Sequence, residues 1–226
     1  MRFRFLRPNQ PSGLLRLADL DWVVERLRAG ELAVLPTETG YLLAAVATDP
    51  VAVRAAFAAK QRDLANPMHI ACASLGMVSR YAELTGPARR LLGGFTPGPL
   101  SVVVPQKDTL PRELVTLHGT VGIRIPDHPA TLQVVAELGL PVTATSLNRS
   151  GEGARDDWSI LDTLDWRGQA EVPVVDSPGS VRFGSASTLV RLTGAEVTVI
   201  RPGPITVDQI EAALGDVRQQ SVGNGA

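Results

Sequence analysis

The sequence predicts an α/β fold built around a mixed, twisted β-sheet. Short apolar runs that are typical of strands interleave with helical segments, but without strict βαβ alternation, and this pattern favours mixed rather than purely parallel pairing. The chain has 226 residues, of which 44% are hydrophobic, so it can bury a sizeable core. We expect a single domain over residues 1–215 and a flexible polar tail over residues 216–226.

The N-terminal half alternates between helical periodicity and short apolar runs. Leu20, Val24 and Leu27 recur at helical spacing and predict a helix over 14–29 that ends at Gly30. The elements that follow are predicted as a strand at 32–35, a strand at 41–47, an Ala-rich helix at 51–60, a strand at 68–73 and a helix at 87–92.

The C-terminal half continues with apolar runs separated by polar turns. The helix at 129–138 begins with Pro129 and ends at Gly139, where a C-terminal cap belongs. Residues 148–158 are Gly-rich and charged, and we predict that they form a mobile segment. The remaining predictions are strands at 101–104, 121–125, 141–145, 172–175, 187–192 and 197–200, and a closing helix at 207–214.

Composition excludes several classes of function. Lys and Arg number 22 against 23 Asp and Glu, which argues against a protein held on nucleic acid by a broad basic surface. Cys72 is the single cysteine, so neither an internal disulfide nor a multi-cysteine metal site can form, and we expect a buried, inert thiol. The basic N-terminus lacks the apolar stretch of a secretory signal, and no segment reaches the length of a membrane span. We therefore expect a cytoplasmic protein without membrane contact.

Polar residues cluster at the ends of the predicted strands, where α/β proteins usually bind ligands. The turn Thr37–Gly40 offers two hydroxyls, although threonine is also an ordinary turn residue. Lys60 either complements the dipole of its helix or binds an anion, and Arg62 could clamp a phosphate or carboxylate in bidentate fashion. Arg124 alternates with apolar residues along its strand, and a structural carboxylate is as good a partner for it as a ligand.

Further polar groups follow later strands, whereas the common phosphate-binding and catalytic motifs are missing. Ser146 and Asn148 lie two residues apart just after a predicted strand, and Arg201 leaves the last strand. Neither a G-x-x-x-x-G-K-[ST] loop nor a G-x-G-x-x-G motif after a strand is present. The three histidines lack the spacing of a metal site, and His128 is favoured as a structural residue.

The order of these clusters is more specific than any one of them. P-T-E-T-x-Y is followed by K-x-R-x-x-x-N-P, F-x-P-G-P-L, V-x-I-R-x-P-x-H-P, S-x-N-x-S-G, S-T-L-V and I-R-P-G. Over about residues 30–205 this order resembles the YrdC/YciO family of threonylcarbamoyl-AMP synthases. The resemblance implies a twisted α/β domain with a deep, positively charged cavity. It also implies a nucleotidyltransferase that makes threonylcarbamoyl-adenylate and pyrophosphate from L-threonine, bicarbonate or CO2, and ATP.

The resemblance also implies roles for individual residues. Lys60 and Arg62 would stabilise the carbamate and phosphate charges, and we expect both side chains to be exposed in the cavity. Threonine would be held by Thr39, Arg124 and Ser187. The ATP site would be lined by Arg62, Asn66, Thr120, Ser146, Asn148 and Arg201, with Mg²⁺ carried by the triphosphate and no metal ligand from protein side chains.

The product would pass to a separate tRNA threonylcarbamoyl-transferase complex, and contact with tRNA or double-stranded RNA is a further expectation. The chain departs from the family pattern at Asp63, where proline is usual, and at Ala71, where histidine is usual and His69 lies two residues early. The alternatives are a YciO-like paralogue with weak or different carbamoyl-adenylate activity, and a non-catalytic nucleotide- or RNA-binding module.

Overall fold

A computed structural model describes residues 2–112, 115–147, 158–193 and 196–215. Asn148, the predicted mobile segment up to residue 157 and the predicted tail at 216–226 lie outside the described residues. The described strands are β1 (Arg2–Leu6), β2 (Ala33–Thr37), β3 (Gly40–Ala44), β4 (Ile70–Ala71), β5 (Leu100–Pro105), β6 (Thr116–Leu117), β7 (Thr120–Arg124), β8 (Val142–Thr143), β9 (Thr145–Ser146), β10 (Glu171–Val175), β11 (Thr188–Thr193) and β12 (Glu196–Arg201). The helices are α1 (Leu17–Arg28), α2 (Pro50–Lys60), α3 (Leu75–Tyr81), α4 (Gly86–Phe95), α5 (Pro129–Leu138) and α6 (Val207–Leu214), with a 3₁₀ helix at Trp158–Thr163.

The strands form two sheets rather than the one expected. The first has the order β1-β10-β2-β3-β9, and the second has the order β12-β11-β5-β7-β4-β8 with β6 paired to β7. Both sheets contain parallel and antiparallel pairs, which confirms the predicted α/β class with mixed pairing. Sequence periodicity indicates where a strand lies but not which strand it pairs with, so the division into two sheets was not visible in it.

The segment from Val142 to Ser146 connects the two sheets. Val142 and Thr143 pair with β4 in the second sheet, whereas Thr145 and Ser146 pair with β3 in the first. The Thr143 hydroxyl accepts a hydrogen bond from Ala45 N at 3.0 Å and donates one to Leu43 O at 2.8 Å. The predicted strand at 141–145 is therefore two short strands, because the chain changes sheets inside it.

Helix α2 is fixed at both ends by local chemistry. The Asp49 carboxylate caps it by accepting hydrogen bonds from Val51 N and Ala52 N, and Gln61 ends it in the left-handed conformation with a φ of 50°. Ala52, Ala56 and Lys60 recur every fourth residue and are all buried. The last turn of the helix therefore directs the Lys60 side chain into the protein rather than into solvent.

Most predicted elements are present with shifted ends. The helices at 129–138 and 207–214 have the predicted bounds, whereas the strand predicted at 68–73 is reduced to β4. β1, α3, β6 and the 3₁₀ helix were not predicted. Cys72 is fully buried as expected, and burial raises the pKa of its thiol to about 12. Within the described ranges, no helix is long and apolar enough to cross a membrane.

Candidate functional site

A cavity of about 560 Å³ lies where the two sheets meet. Its wall includes residues of the β2–β3 turn, the ends of β5 and β7, the connecting segment 144–146 and the loop 181–187. Three arginines line it, and none of the described lining residues is acidic. The residues of the predicted site that reach this wall are Thr39, Arg62, Arg124, Ser146, Ser187 and Arg201.

Arg124, at the end of β7, pairs with a structural carboxylate, one of the two kinds of partner that the sequence left open. Its Nη2 donates a hydrogen bond of 2.6 Å to Glu38 Oε1, and its Nη1 donates one of 3.1 Å to Thr39 Oγ1. The arginine side chain is 10% exposed and lines the cavity, while its Nε is buried without a hydrogen-bond partner. A structural carboxylate thus fixes a guanidinium that still faces the cavity.

Glu38 is one of the residues near the cavity that the sequence analysis did not assign to the site. It is fully buried in the β2–β3 turn, where Thr37 Oγ1 donates a hydrogen bond of 2.6 Å to Gly40 O. Its second carboxylate oxygen accepts a hydrogen bond from Asp127 N at 2.9 Å. The available signal was the charge itself, because a glutamate inside an apolar strand pair needs a buried cation.

Arg62 lies just beyond α2 and is half-buried in the cavity wall. Its Nε donates a hydrogen bond of 2.7 Å to Asn66 O, and its Nη2 donates one of 3.2 Å to Pro67 O. These carbonyl contacts orient the guanidinium without neutralising it. Burial lowers the pKa of Arg62, but arginine remains protonated at neutral pH.

The expectation that the Lys60 side chain is exposed in the cavity is wrong. Lys60 is 2% exposed, because it lies on the buried face of α2. Its ammonium group donates a hydrogen bond of 2.8 Å to Thr145 Oγ1 and another to Ser146 O. Burial, and secondarily the charge of Arg62, lowers the pKa of Lys60 to about 7. Lys60 therefore supports the cavity wall at Ser146 from behind.

Arg201 and Ser187 form a second fixed pair in the cavity wall. Arg201 donates to Ser187 O from Nε at 3.1 Å and from Nη2 at 2.9 Å. The Ser187 hydroxyl is 2.8 Å from the Ser101 hydroxyl, and the two share a hydrogen bond. Burial, followed by the charge of Arg124, lowers the pKa of Arg201.

His69 lines the cavity between the arginines and was not among the predicted site residues. Burial, together with the charges of Arg201, Arg62 and Arg124, lowers its pKa to about 4, so the imidazole is neutral at pH 7. The ring packs over Gly122, where an added Cβ would lie 2.2 Å from the His69 Cδ2 atom. The glycine therefore makes the space that the imidazole occupies.

Asn66 and Thr120 do not line this cavity but flank a second one. That cavity, of about 730 Å³, is lined by neighbours of both residues and shares Pro67 with the first. The Thr120 hydroxyl donates a hydrogen bond of 2.7 Å to Leu117 O, and the Asn66 residue is exposed. Asn148, the remaining predicted ATP contact, lies outside the described residues. Among the described residues, no group of three or more His, Cys, Asp or Glu is arranged to hold a metal ion.

Comparison with known proteins gives consistent results. The Sua5/YciO/YrdC family model, whose description is "Telomere recombination", matches residues 25–203. A threonylcarbamoyl-AMP synthase of Pyrococcus abyssi is 34% identical over 193 residues, which are 85% of this chain and 56% of that protein. The chain thus spans little more than half the length of that relative.

Two solved structures have the same fold. The P. abyssi Sua5 structure complexed with L-threonine has a TM-score of 0.84 at 30% identity, and the match covers 96% of this chain and 62% of the Sua5 chain. The E. coli YciO structure has a TM-score of 0.78 at 26% identity, and the match covers 93% of this chain and 100% of the YciO chain.

Proposed function

Because the chain belongs to the Sua5/YciO/YrdC family, we propose that it is an L-threonylcarbamoyladenylate synthase, a nucleotidyltransferase that uses L-threonine, bicarbonate or CO2, and ATP. The observation that carries this proposal is the cavity itself. Three arginines and a neutral imidazole face a space without a described acidic lining residue, and hydroxyl groups line it from both sheets. Such a space suits a polyanionic nucleotide together with a small zwitterion.

The two proposed substrate sites meet at the hydrogen-bonded pair of Arg201 and Ser187. Thr39, Arg124 and Ser187 would hold the carboxylate and hydroxyl of threonine. Arg62, Arg201 and Ser146 are the groups that would bind the phosphates. The adenosine would extend past Pro67 into the second cavity, beside Asn66 and Thr120.

In the proposed reaction the unprotonated amine of threonine adds to CO2 and releases a proton to form a carbamate. A carbamate oxygen then attacks the α-phosphorus of ATP, the bond to the β-phosphate oxygen breaks, and pyrophosphate leaves. Such transfers depend mainly on positioning and charge stabilisation rather than on covalent participation by the protein. Arg62 would stabilise the charge on the transferring group, since its guanidinium donates to two carbonyl oxygens and no described carboxylate neutralises it.

Magnesium fits this proposal as a companion of the nucleotide. The described lining of the cavity offers no carboxylate, so a Mg²⁺ ion would take its ligands from phosphate oxygens and water. The ion would supply charge neutralisation on the triphosphate. The product would be handed to a separate tRNA-modifying complex, and RNA contact by this chain belongs to the same proposal.

A YciO-like paralogue with a different carbamoyl-adenylate product is the second candidate. Ala71, where the family pattern has histidine, is fully buried in β4 and does not line the cavity. The group that contacts the amino acid from this part of the chain would then be His69, which immediately precedes β4 and lines the cavity. This changes the geometry of that contact.

One assay tests the proposal and separates the candidates. The protein is incubated with ATP, bicarbonate and each amino acid in turn, and pyrophosphate release is measured. Release that requires both threonine and bicarbonate supports the synthase. Release with another amino acid supports the paralogue, and no release with any amino acid argues against both.

A further inference from the structure

The three arginines of the cavity differ in how their charges are balanced. Arg124 pairs with the buried Glu38 carboxylate at 2.6 Å. Among the described residues, Arg62 donates only to carbonyl oxygens, and Arg201 donates only to the carbonyl and hydroxyl oxygens of Ser187. No described carboxylate pairs with either of these two. The cavity therefore has one neutralised cation and two uncompensated cations.

Glu38 also fixes the wall that carries Ser187. Its main-chain carbonyl accepts hydrogen bonds from Arg182 N at 2.8 Å and Phe183 N at 3.1 Å. The Arg182 side chain in turn pairs with the Asp127 carboxylate, and Asp127 N donates to the Glu38 carboxylate. Glu38 thus holds the Arg124 guanidinium and anchors the loop 181–187, which forms part of the cavity wall.

We propose that Glu38 is a charge-balancing, positioning residue that decides which arginines of the cavity take the phosphates. By neutralising Arg124, it keeps the phosphates at Arg62 and Arg201 and reserves Arg124 for a ligand of zero net charge. Glu38 is itself fully buried, so it acts through Arg124 rather than by touching a ligand. The inference rests on the proposed function, because it assigns Arg124 to the amino acid and Arg62 and Arg201 to the triphosphate.

The proposal predicts a change in competition between ligands, which loss of structure alone does not produce. In Glu38→Gln, Arg124 becomes a third uncompensated cation, and inorganic tripolyphosphate should bind about tenfold more tightly. Tripolyphosphate should then also bind at Arg124. Tripolyphosphate should raise the apparent Kd of threonine about tenfold or more in the variant, while changing it less than about twofold in the wild-type protein.

Calorimetry of both ligands, alone and together, is the test. Asp127→Asn is the matched control, because it removes a carboxylate from the same cluster but keeps the N–H that Glu38 accepts from, and it should retain the wild-type pattern. If Glu38→Gln weakens both ligands without new competition, Glu38 is only structural and the proposal is overturned. A wild-type protein that binds tripolyphosphate but not threonine contradicts the proposed function, while the change in tripolyphosphate affinity still tests the charge balance.

A second variant covers the case in which Glu38→Gln does not fold. Arg124→Gln leaves the Glu38 carboxylate uncompensated and should weaken tripolyphosphate binding about tenfold. Unchanged tripolyphosphate affinity in that variant overturns the proposal as well.

Discussion

The ammonium group of Lys60 donates a hydrogen bond of 2.8 Å to the Thr145 hydroxyl and so joins the end of α2 to β9. A second bond runs from Lys60 to the carbonyl of Ser146, whose residue lines the cavity. The K-x-R segment and the segment that begins with Ser146 therefore meet through a buried lysine. This contact makes Lys60 a positioning residue for the cavity wall.

Replacing Lys60 by Met should separate activity from stability. The rate of pyrophosphate release should fall roughly ten- to a thousandfold, because the wall at Ser146 loses its support. The melting temperature at pH 7 should not fall, because the pKa of about 7 indicates that burying the ammonium costs free energy that methionine does not require. A large drop in melting temperature with unchanged activity would reverse this assignment.

The same lysine predicts a stability change at alkaline pH. The pKa of Lys60 is lowered from 10.5 to about 7, so between these values the unfolded state binds more protons than the folded state. The contribution of Lys60 to the free energy of unfolding should therefore rise as the pH rises from 7 to 10.5. Denaturant titrations of wild-type protein and Lys60→Met across this range should show the difference, and parallel curves would contradict it.

Arg62→Ala should reduce activity without affecting folding. The side chain is half-buried and orients itself on the Asn66 and Pro67 carbonyls, so its loss leaves no buried charge. Pyrophosphate release should fall by roughly ten- to a thousandfold, the scale for removing a preorganised donor. Arg62→Lys should recover little, because a lysine cannot reproduce the guanidinium fork. Full activity in Arg62→Ala would remove Arg62 from the proposed catalytic role.

Acid should destabilise the protein through two histidines. Burial lowers the pKa of both His69 and His128 to about 4, whereas an unfolded histidine titrates near 6.5. The unfolded state therefore binds more protons between these values, and stability is lost as the pH falls from 6.5 to 4, by at most ~3 kcal/mol for each histidine. The double substitution His69→Gln and His128→Gln should flatten the dependence of the melting temperature on pH over this range.

The sequence predicted the cavity residues better than it predicted their roles. Arg62, Arg124 and Arg201 were assigned to the site because the order of the motifs that contain them resembles that of the YrdC/YciO family. The burial of Lys60 was missed, although its four-residue spacing from Ala56 places it on the apolar face of α2. Glu38 was passed over because its partner Arg124 is 86 residues away, and only the pairing of distant strands brings the two together.

Local elements show the same limit. α5 was predicted with its correct ends because Pro129 begins it and Gly139 ends it. Each of these signals lies in the sequence at the helix end that it marks. β1 was missed because arginine and phenylalanine alternate along it, and its strand character depends on pairing with β10, more than 160 residues later. Helix α3 was missed because it has only 7 residues, although Ser74 caps it by accepting a hydrogen bond from Met77 N.

The most direct measurement follows the carbon atom that the proposed reaction fixes. The protein is incubated with ATP, L-threonine and ¹³C-labelled bicarbonate, and the nucleotide products are analysed by mass spectrometry. The proposed reaction should give an adenylate that contains threonine and one ¹³C atom, formed in equal amount to the pyrophosphate released and absent when threonine is omitted. An adenylate without the label, or pyrophosphate release that does not depend on bicarbonate, would rule out the proposed synthase reaction.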